Sequence, residues 1–300
     1  MHSLVFFLSL LPLTSRAGHW CYDSQDVHCG PSNWQTQFET CGKKKQSPIN
    51  IVTGKAKLNS SLCPFNFEGY DDDMECTIRN NGHSVQVDLA GDISISGGGL
   101  PGTFKALQFH YHWGTTTLPG SEHTINRLQY PMELHIVHMN VKYLSPQEAL
   151  KHSDGLAVLG FMIIESAEAS DGSKDVIEAL NNVQHNGTTF KLKRFSLKNM
   201  IPDQEKLKKY YRYQGSLTTP PCSEAVIWTM FAEPIQWSND QINAFPEKIF
   251  FNGSEYMVKN FRTVQNPNGR MVYVSNSAVG SFHVALLWSV PVVWASVLLN

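Results

Sequence analysis

Ala106-Leu-Gln-Phe-His-Tyr-His-Trp113 and Glu133-Leu-His-Ile-Val-His-Met-Asn-Val141 decide how this chain folds and where its chemistry sits. Both runs have the length and composition of β-strands. In a strand, alternate side chains share a face. Gln108, His110 and His112 therefore project together, with Phe109 and Tyr111 pointing the other way. In the second run Glu133, His135 and Val137 share a face, while His138 falls on the opposite one. If the two strands are neighbours, His110, His112 and His135 converge. Three neutral nitrogen ligands with the fourth position open form the donor set of a catalytic Zn²⁺. A ligating imidazole gives its other N–H to an oxygen acceptor, and Gln108 and Glu133 each stand two residues before a histidine of the trio. The remaining histidines among the 12 need no special role, and His123 beside Glu122 reads as structural.

Working outward, Ser84-Val-Gln-Val-Asp-Leu89 and Leu156-Ala-Val-Leu-Gly-Phe-Met-Ile-Ile164 also read as strands. Helical stretches are few. Ser145-Pro146 is a cap followed by proline at the first helical position. Asp175 to Val183 sets Val176, Ile177, Leu180 and Val183 on one face. Ser238 to Ile249 is a third stretch, which Pro246 is expected to break or end. No strand–helix rhythm, repeat or linker appears. The expected class is α+β, mainly β: a single domain around a large twisted, mostly antiparallel sheet with short surface helices.

Of the 300 residues, 42% are hydrophobic and 17% charged, which excludes a disordered or collagen-like chain. A net charge of −2 gives a phosphate backbone nothing to bind, so no nucleic-acid partner is expected. Lys43-Lys44-Lys45 and Asp71-Asp72-Asp73 read as solvated surface. Leu4 to Leu13 is apolar except for Ser9, and Ser15-Arg16-Ala17 offers small residues, so residues 1–17 read as a signal peptide. Residues 18–274 form the domain. After Arg270 there is no Asp, Glu, Lys or Arg, and Ser275-Asn-Ser-Ala278 precedes an apolar run from Phe282 to Leu299. Residues 275–300 read as a GPI-attachment signal with a removable tail. A spanning helix fits less well, because the run contains Pro291 and ends at Asn300 with no charged stop. The six cysteines and the sequons at Asn59, Asn186 and Asn252 agree on an oxidising, extracellular setting, although spacing alone cannot pair the cysteines.

Seven ordered motifs carry a resemblance. They are Gln46-Ser-Pro-Ile-Asn-Ile51, Asn80-Asn-Gly-His83, Phe109-His-Tyr-His-Trp-Gly114, Ser121-Glu-His-Thr124, Glu133-Leu-His-Ile-Val-His138, Asp154-Gly-Leu-Ala-Val-Leu-Gly160 and Gly215-Ser-Leu-Thr-Thr-Pro-Pro221. Over about residues 20 to 274 the chain resembles the α-class carbonic anhydrases. Its signal peptide, cysteines and apolar tail look like the extracellular, membrane-anchored branch.

The resemblance implies one Zn²⁺ per chain on His110, His112 and His135. It also implies acceptors for their outer nitrogens at Gln108, the Asn260 carbonyl and Glu133. Thr218 would accept a hydrogen bond from zinc hydroxide and donate one to Glu122. Thr219 would adjoin bicarbonate, and Val137, Val158, Leu217, Val226 and Trp228 would form an apolar wall for CO2. His83 matches the proton shuttle, with Tyr22, Asn81 and Gln86 on the wet side; Gln86 replaces the asparagine common there. The resemblance pairs Cys41 with Cys222 and Cys21 with Cys29. Cys63 with Cys76 then remains as a third disulfide by elimination, a pair that the family pattern does not cover. The implied function is reversible hydration of CO2 to bicarbonate and a proton at the outer cell surface, inhibited by aromatic sulfonamides. Bicarbonate transporters are the implied protein partners and a monomer the implied state. The competing reading is a catalytically weak ectodomain that acts as a binding module. Such domains typically lack a zinc histidine, and all three are present here. A different zinc hydrolase is disfavoured, since no H-E-x-x-H occurs.

Overall fold

The computed structural model describes residues 19–276. The expected signal peptide and all but the first two residues of the expected GPI-attachment segment lie outside the described residues. Thirteen strands form one sheet. Its main path runs Thr189–Phe195, Met74–Asn80, Val85–Asp88, Phe104–Trp113, Met132–Asn140, Leu156–Ser166, Val226–Phe231, Tyr210–Gly215, Tyr273–Ser275, Lys57–Asn59. Pairing is mostly antiparallel. Leu156–Ser166 runs parallel to Val226–Phe231 and to Ile235–Ser238, and Tyr273–Ser275 runs parallel to Lys57–Asn59. A sheet this wide twists, and the strands and sheet expected from the sequence are those observed.

The two histidine strands are direct antiparallel neighbours near the middle of this path. Their register sets His110 opposite His135 and His112 opposite Glu133. A one-residue slip would turn either set of side chains to the other face. Leu107 is an extra residue between Ala106 and Gln108, where the register shifts. Such a bulge re-aims the side chains beyond it. Apolar packing on both faces holds the register. Phe109, Tyr111, Trp113, Leu134 and Ile136 belong to one core, and Val137, Val158, Val226 and Trp228 belong to another. Each fully buried residue of this size stabilises the fold by roughly 1.5–3 kcal/mol.

The helices are short. Ser145 caps Pro146–Ala149 by accepting from the Glu148 N–H. Lys174–Ala179 continues as a tighter turn through Leu180–Asn182. Asn239–Lys248 starts at a capping box on Ser238 and Gln241 and runs two residues past Pro246. The proline therefore ends that helix at its last turn and does not break it. Ser275 belongs to the folded body: its hydroxyl accepts from the Tyr210 N–H at 2.9 Å and donates to the Lys208 carbonyl at 2.8 Å.

Disulfides join Cys41 to Cys222 and Cys21 to Cys29. The third disulfide expected by elimination is not formed: Cys63 and Cys76 are both free. Cys76 sits in the core on Met74–Asn80, whereas Cys63 faces solvent, so the two thiols have opposite environments. Burial pushes the Cys76 thiol up to about 11.

Candidate metal centre and cleft

Each imidazole of the trio is oriented by one outer acceptor. His110 Nδ1 donates to Gln108 Oε1 at 2.8 Å, and His112 Nδ1 donates to the Asn260 carbonyl at 2.7 Å. His135 Nε2 donates to Glu133 Oε1 at 2.6 Å. These bonds fix the tautomers, leaving His110 Nε2, His112 Nε2 and His135 Nδ1 as lone-pair nitrogens. One nitrogen from each of the three lies within 4.8 Å of the others. His112 Nε2 is buried with no hydrogen-bond partner. Burial, and then the neighbouring imidazoles, hold His110 well below the ordinary histidine range; burial likewise lowers His112. Three neutral lone pairs aimed at one buried point are poorly placed for one another and well placed for a cation. The residues fit a divalent metal of zinc's ligand preference.

Glu133 is itself held on two sides. His123 donates to it through Nδ1 at 2.6 Å and through its backbone N–H at 2.8 Å. Burial alone would raise the Glu133 carboxyl, but facing His123 and His135 hold it well below the usual carboxylate range. His123 Nε2 in turn accepts from the Tyr213 hydroxyl at 2.6 Å, and Tyr213 contacts Ser47 Oγ at 2.8 Å. A chain of hydrogen bonds thus runs Ser47, Tyr213, His123 and ends on the accepting Glu133 carboxylate. Nothing in the sequence pointed to Tyr213 and Ser47 beside His123, because their sequence separations form no pattern to detect.

Glu122 is buried beside the trio. Its Oε1 accepts from the Arg262 N–H at 2.8 Å. The Arg262 guanidinium donates to Gln46, Ser47 and the Cys41 carbonyl, tying the N-terminal segment to the site. Burial lowers that guanidinium to about 10, against the pull of Glu122. Arg262 was also missed from sequence. The expected hydrogen bond from Thr218 to Glu122 is not formed. Glu122 Oε2 has no hydrogen-bond partner and lies 3.3 Å from His112 Nε2 and 3.9 Å from His135 Nδ1. Thr218 is nonetheless buried, on the loop that Cys222 fastens to Cys41.

The mouth is a pocket of about 130 Å³ lined by residues that include His110, His112, Thr219, Gln86, Asn81 and His83. Trp20 and Tyr22 also line it, and Tyr22 is buried. His83 stacks on Trp20 with ring centroids 3.7 Å apart. Burial, then the charge of His19, lowers its imidazole to about 4. The ordinary value near 6.5 expected for a relay residue is therefore not met in this pose, and Trp20, the cause of much of that cover, was not foreseen. On the other side Val137, Val158, Val226 and Trp228 form an apolar wall against which Leu217 packs. The Trp228 ring lies 4.8 Å from that of His135. Among the sequons, Asn186 and Asn252 are exposed and hydrogen-bonded to each other at 3.1 Å, and Asn59 is half-buried.

A fold and site of this kind define a family, and the comparisons agree. Residues 29–276 match the family model described as eukaryotic-type carbonic anhydrase. The chain is 41% identical over 283 residues to carbonic anhydrase 4 of Oryctolagus cuniculus, covering 93% of this chain and 91% of the relative. It is 35% identical over 296 residues to carbonic anhydrase 15 of Mus musculus, covering 93% and 91%. Carbonic anhydrase 12 of Homo sapiens is 35% identical over 277 residues, 89% of this chain and 76% of the relative. The chain belongs to the eukaryotic-type carbonic anhydrase family.

Proposed function

We infer that the protein catalyses reversible hydration of CO2 to bicarbonate and a proton, with His110, His112 and His135 holding one Zn²⁺. The observation that carries this reading is the saturation of every outer ring nitrogen by an acceptor, which leaves three lone pairs convergent. When bound, zinc supplies the nucleophile by lowering the pKa of a water from about 15.7 to about 7.

The protein's own residues do the rest. Three neutral imidazoles leave the metal's charge undiminished, whereas an anionic ligand would blunt it. Val137, Val158, Leu217, Val226 and Trp228 give CO2, which has no charge and little hydrogen-bonding power, an apolar surface to rest against. The Thr218 hydroxyl and Glu122 orient the attack, which requires the hydrogen bond between them to form. Thr219 stands where bicarbonate leaves. His83 passes the released proton to solvent. In the stacked pose it is a weak base, so relay requires the ring to leave Trp20.

We read residues 275–300 as directing a lipid anchor, which would place the enzyme on the outer face of the plasma membrane as a monomer, close to bicarbonate transporters. No described helix is long and apolar enough to cross a membrane. Because Ser275 is fastened into the sheet, attachment falls beyond it. Release from live cells by a phosphatidylinositol-specific phospholipase is the expected result; retention would refute the anchor. The binding-module alternative is disfavoured, since the three imidazoles, Thr218 and Glu122 are all present.

The decisive test uses the whole chain expressed in an oxidising host. Purified protein should hold one zinc per chain and hydrate CO2, with the activity abolished by an aromatic sulfonamide. Metal-free protein, or activity indifferent to chelation, would overturn the reading.

A further inference from the structure

Behind the cleft rim an ion pair connects to the His83 turn through two carboxamides. The Arg79 guanidinium pairs with Asp88 Oδ2. Asp88 Oδ1 accepts from Gln86 Nε2 at 2.6 Å. Gln86 Oε1 accepts from Asn81 Nδ2 at 3.1 Å. Asn81 Oδ1 then accepts the backbone N–H groups of His83 at 2.9 Å and Ser84 at 2.7 Å.

The direction of this chain has one physical origin. A carboxamide can turn over and exchange its donor and acceptor ends; an ionised carboxylate can only accept. Asp88 therefore obliges Gln86 to present Nε2 to it and Oε1 to Asn81. Asn81 must then present Nδ2 to Gln86 and keep Oδ1 for the His83 and Ser84 N–H groups. If Gln86 were reversed, Asn81 would meet an N–H, turn its own amide, and lose its two side-chain bonds to the turn, leaving the Asn81 N–H on the Ser84 carbonyl and Asn260 Nδ2 on the His83 carbonyl, each at 3.1 Å. An asparagine at position 86, one methylene shorter, would not span Asp88 and Asn81 as the glutamine does. Asn81, His83 and Gln86 also line the pocket, so the same choice sets which donors and acceptors the cleft water meets.

We propose that Asp88 is a positioning residue for proton transfer at His83, acting through Gln86 and Asn81. The proposal rests on the reading of His83 as the relay. Asp88 touches neither substrate nor metal in it, and its effect belongs to the proton-transfer step alone.

The test is a double-mutant cycle on zinc-loaded enzyme, measuring CO2 hydration in dilute buffer and in added imidazole. Asp88→Ala should lower kcat in dilute buffer about fivefold, a small part of the roughly hundredfold or more that a general acid–base group supplies. It should leave kcat/KM unchanged, and imidazole should restore kcat. In a His83→Ala background the same change should do nothing further. Gln86→Met, which removes the middle amide and spares the ion pair, should reproduce the signature even if Asp88→Ala folds poorly. A loss in kcat/KM, or one that persists without His83, would overturn the proposal. So would unchanged kcat in Asp88→Ala and Gln86→Met when His83→Ala itself is slow. If His83→Ala is as fast as the parent, the relay reading fails and takes the proposal with it.

Discussion

The floor of the cleft and its rim are built in different ways. On the floor, three imidazoles stand at fixed register positions of two paired strands, and each outer nitrogen is bonded to a buried or half-buried acceptor. At the rim, His83 sits on a turn, half-buried, held by its backbone and by one stacking contact with Trp20. Paired strands fix side-chain positions to within hydrogen-bond distances, which metal binding requires. A turn can release a ring, which proton transfer to solvent requires. The difference teaches that rigidity here follows the chemistry of each step.

Breaking the floor should have the largest effect. His112→Ala removes a ligand and leaves the Asn260 carbonyl facing a void. Loss of zinc by elemental analysis and of CO2 hydration above background is expected; retained metal and activity would refute the assigned centre. Next comes the loop beside the floor. The disulfide between Cys41 and Cys222 spans a sequence separation of 181. In the chain-entropy model such a link is worth roughly 5 kcal/mol. Cys41→Ser with Cys222→Ser should lower the denaturant midpoint accordingly, while the same change at Cys21 and Cys29, a separation of 8, should cost less.

A subtler strike on the floor is Glu133→Gln. It keeps the size but removes the charge shared by His123 and His135. Weakening of zinc affinity by about 10–100-fold is expected, measured by competition with a chelator. The smallest effect lies at the rim. Trp20→Ala should raise the His83 imidazole from about 4 toward its ordinary 6.5, read by NMR titration. His83 folded is a weaker base than His83 unfolded. Its contribution to stability is therefore present above pH 6.5 and lost as pH falls through about 4. The variant should lose that pH dependence across the window; an unchanged titration would show that Trp20 is not the cover.

Much of this was legible in the residues. The floor could be read because its spacing is local: His110 and His112 two apart, Gln108 and Glu133 each two before a ligand. Strand periodicity converts such spacing into a shared face. Ser145-Pro146 was legible as a cap from equally local sequence. Pro246 ends its helix without breaking it, because a proline near a helix end forfeits a bond that the last turn scarcely needs. The rim was legible only in part. Trp20 lies 63 positions from His83, and no periodicity links a terminal segment to a distant turn. Arg262 and Tyr213 stayed invisible because their partners are brought to them by the sheet.

The order of residues alone specified the strands, the donor set and, through resemblance, the family and its reaction. Only the tertiary structure decided that His110 faces His135, that Cys63 and Cys76 stay unpaired, and that Glu122 Oε2 lies 3.3 Å from His112 Nε2 without a hydrogen-bond partner. It also decided that Trp20 stacks on the His83 imidazole. Local periodicity sets which way a side chain points. Protonation, pairing and reach depend on what packs against that side chain, and packing is settled by segments far away along the chain.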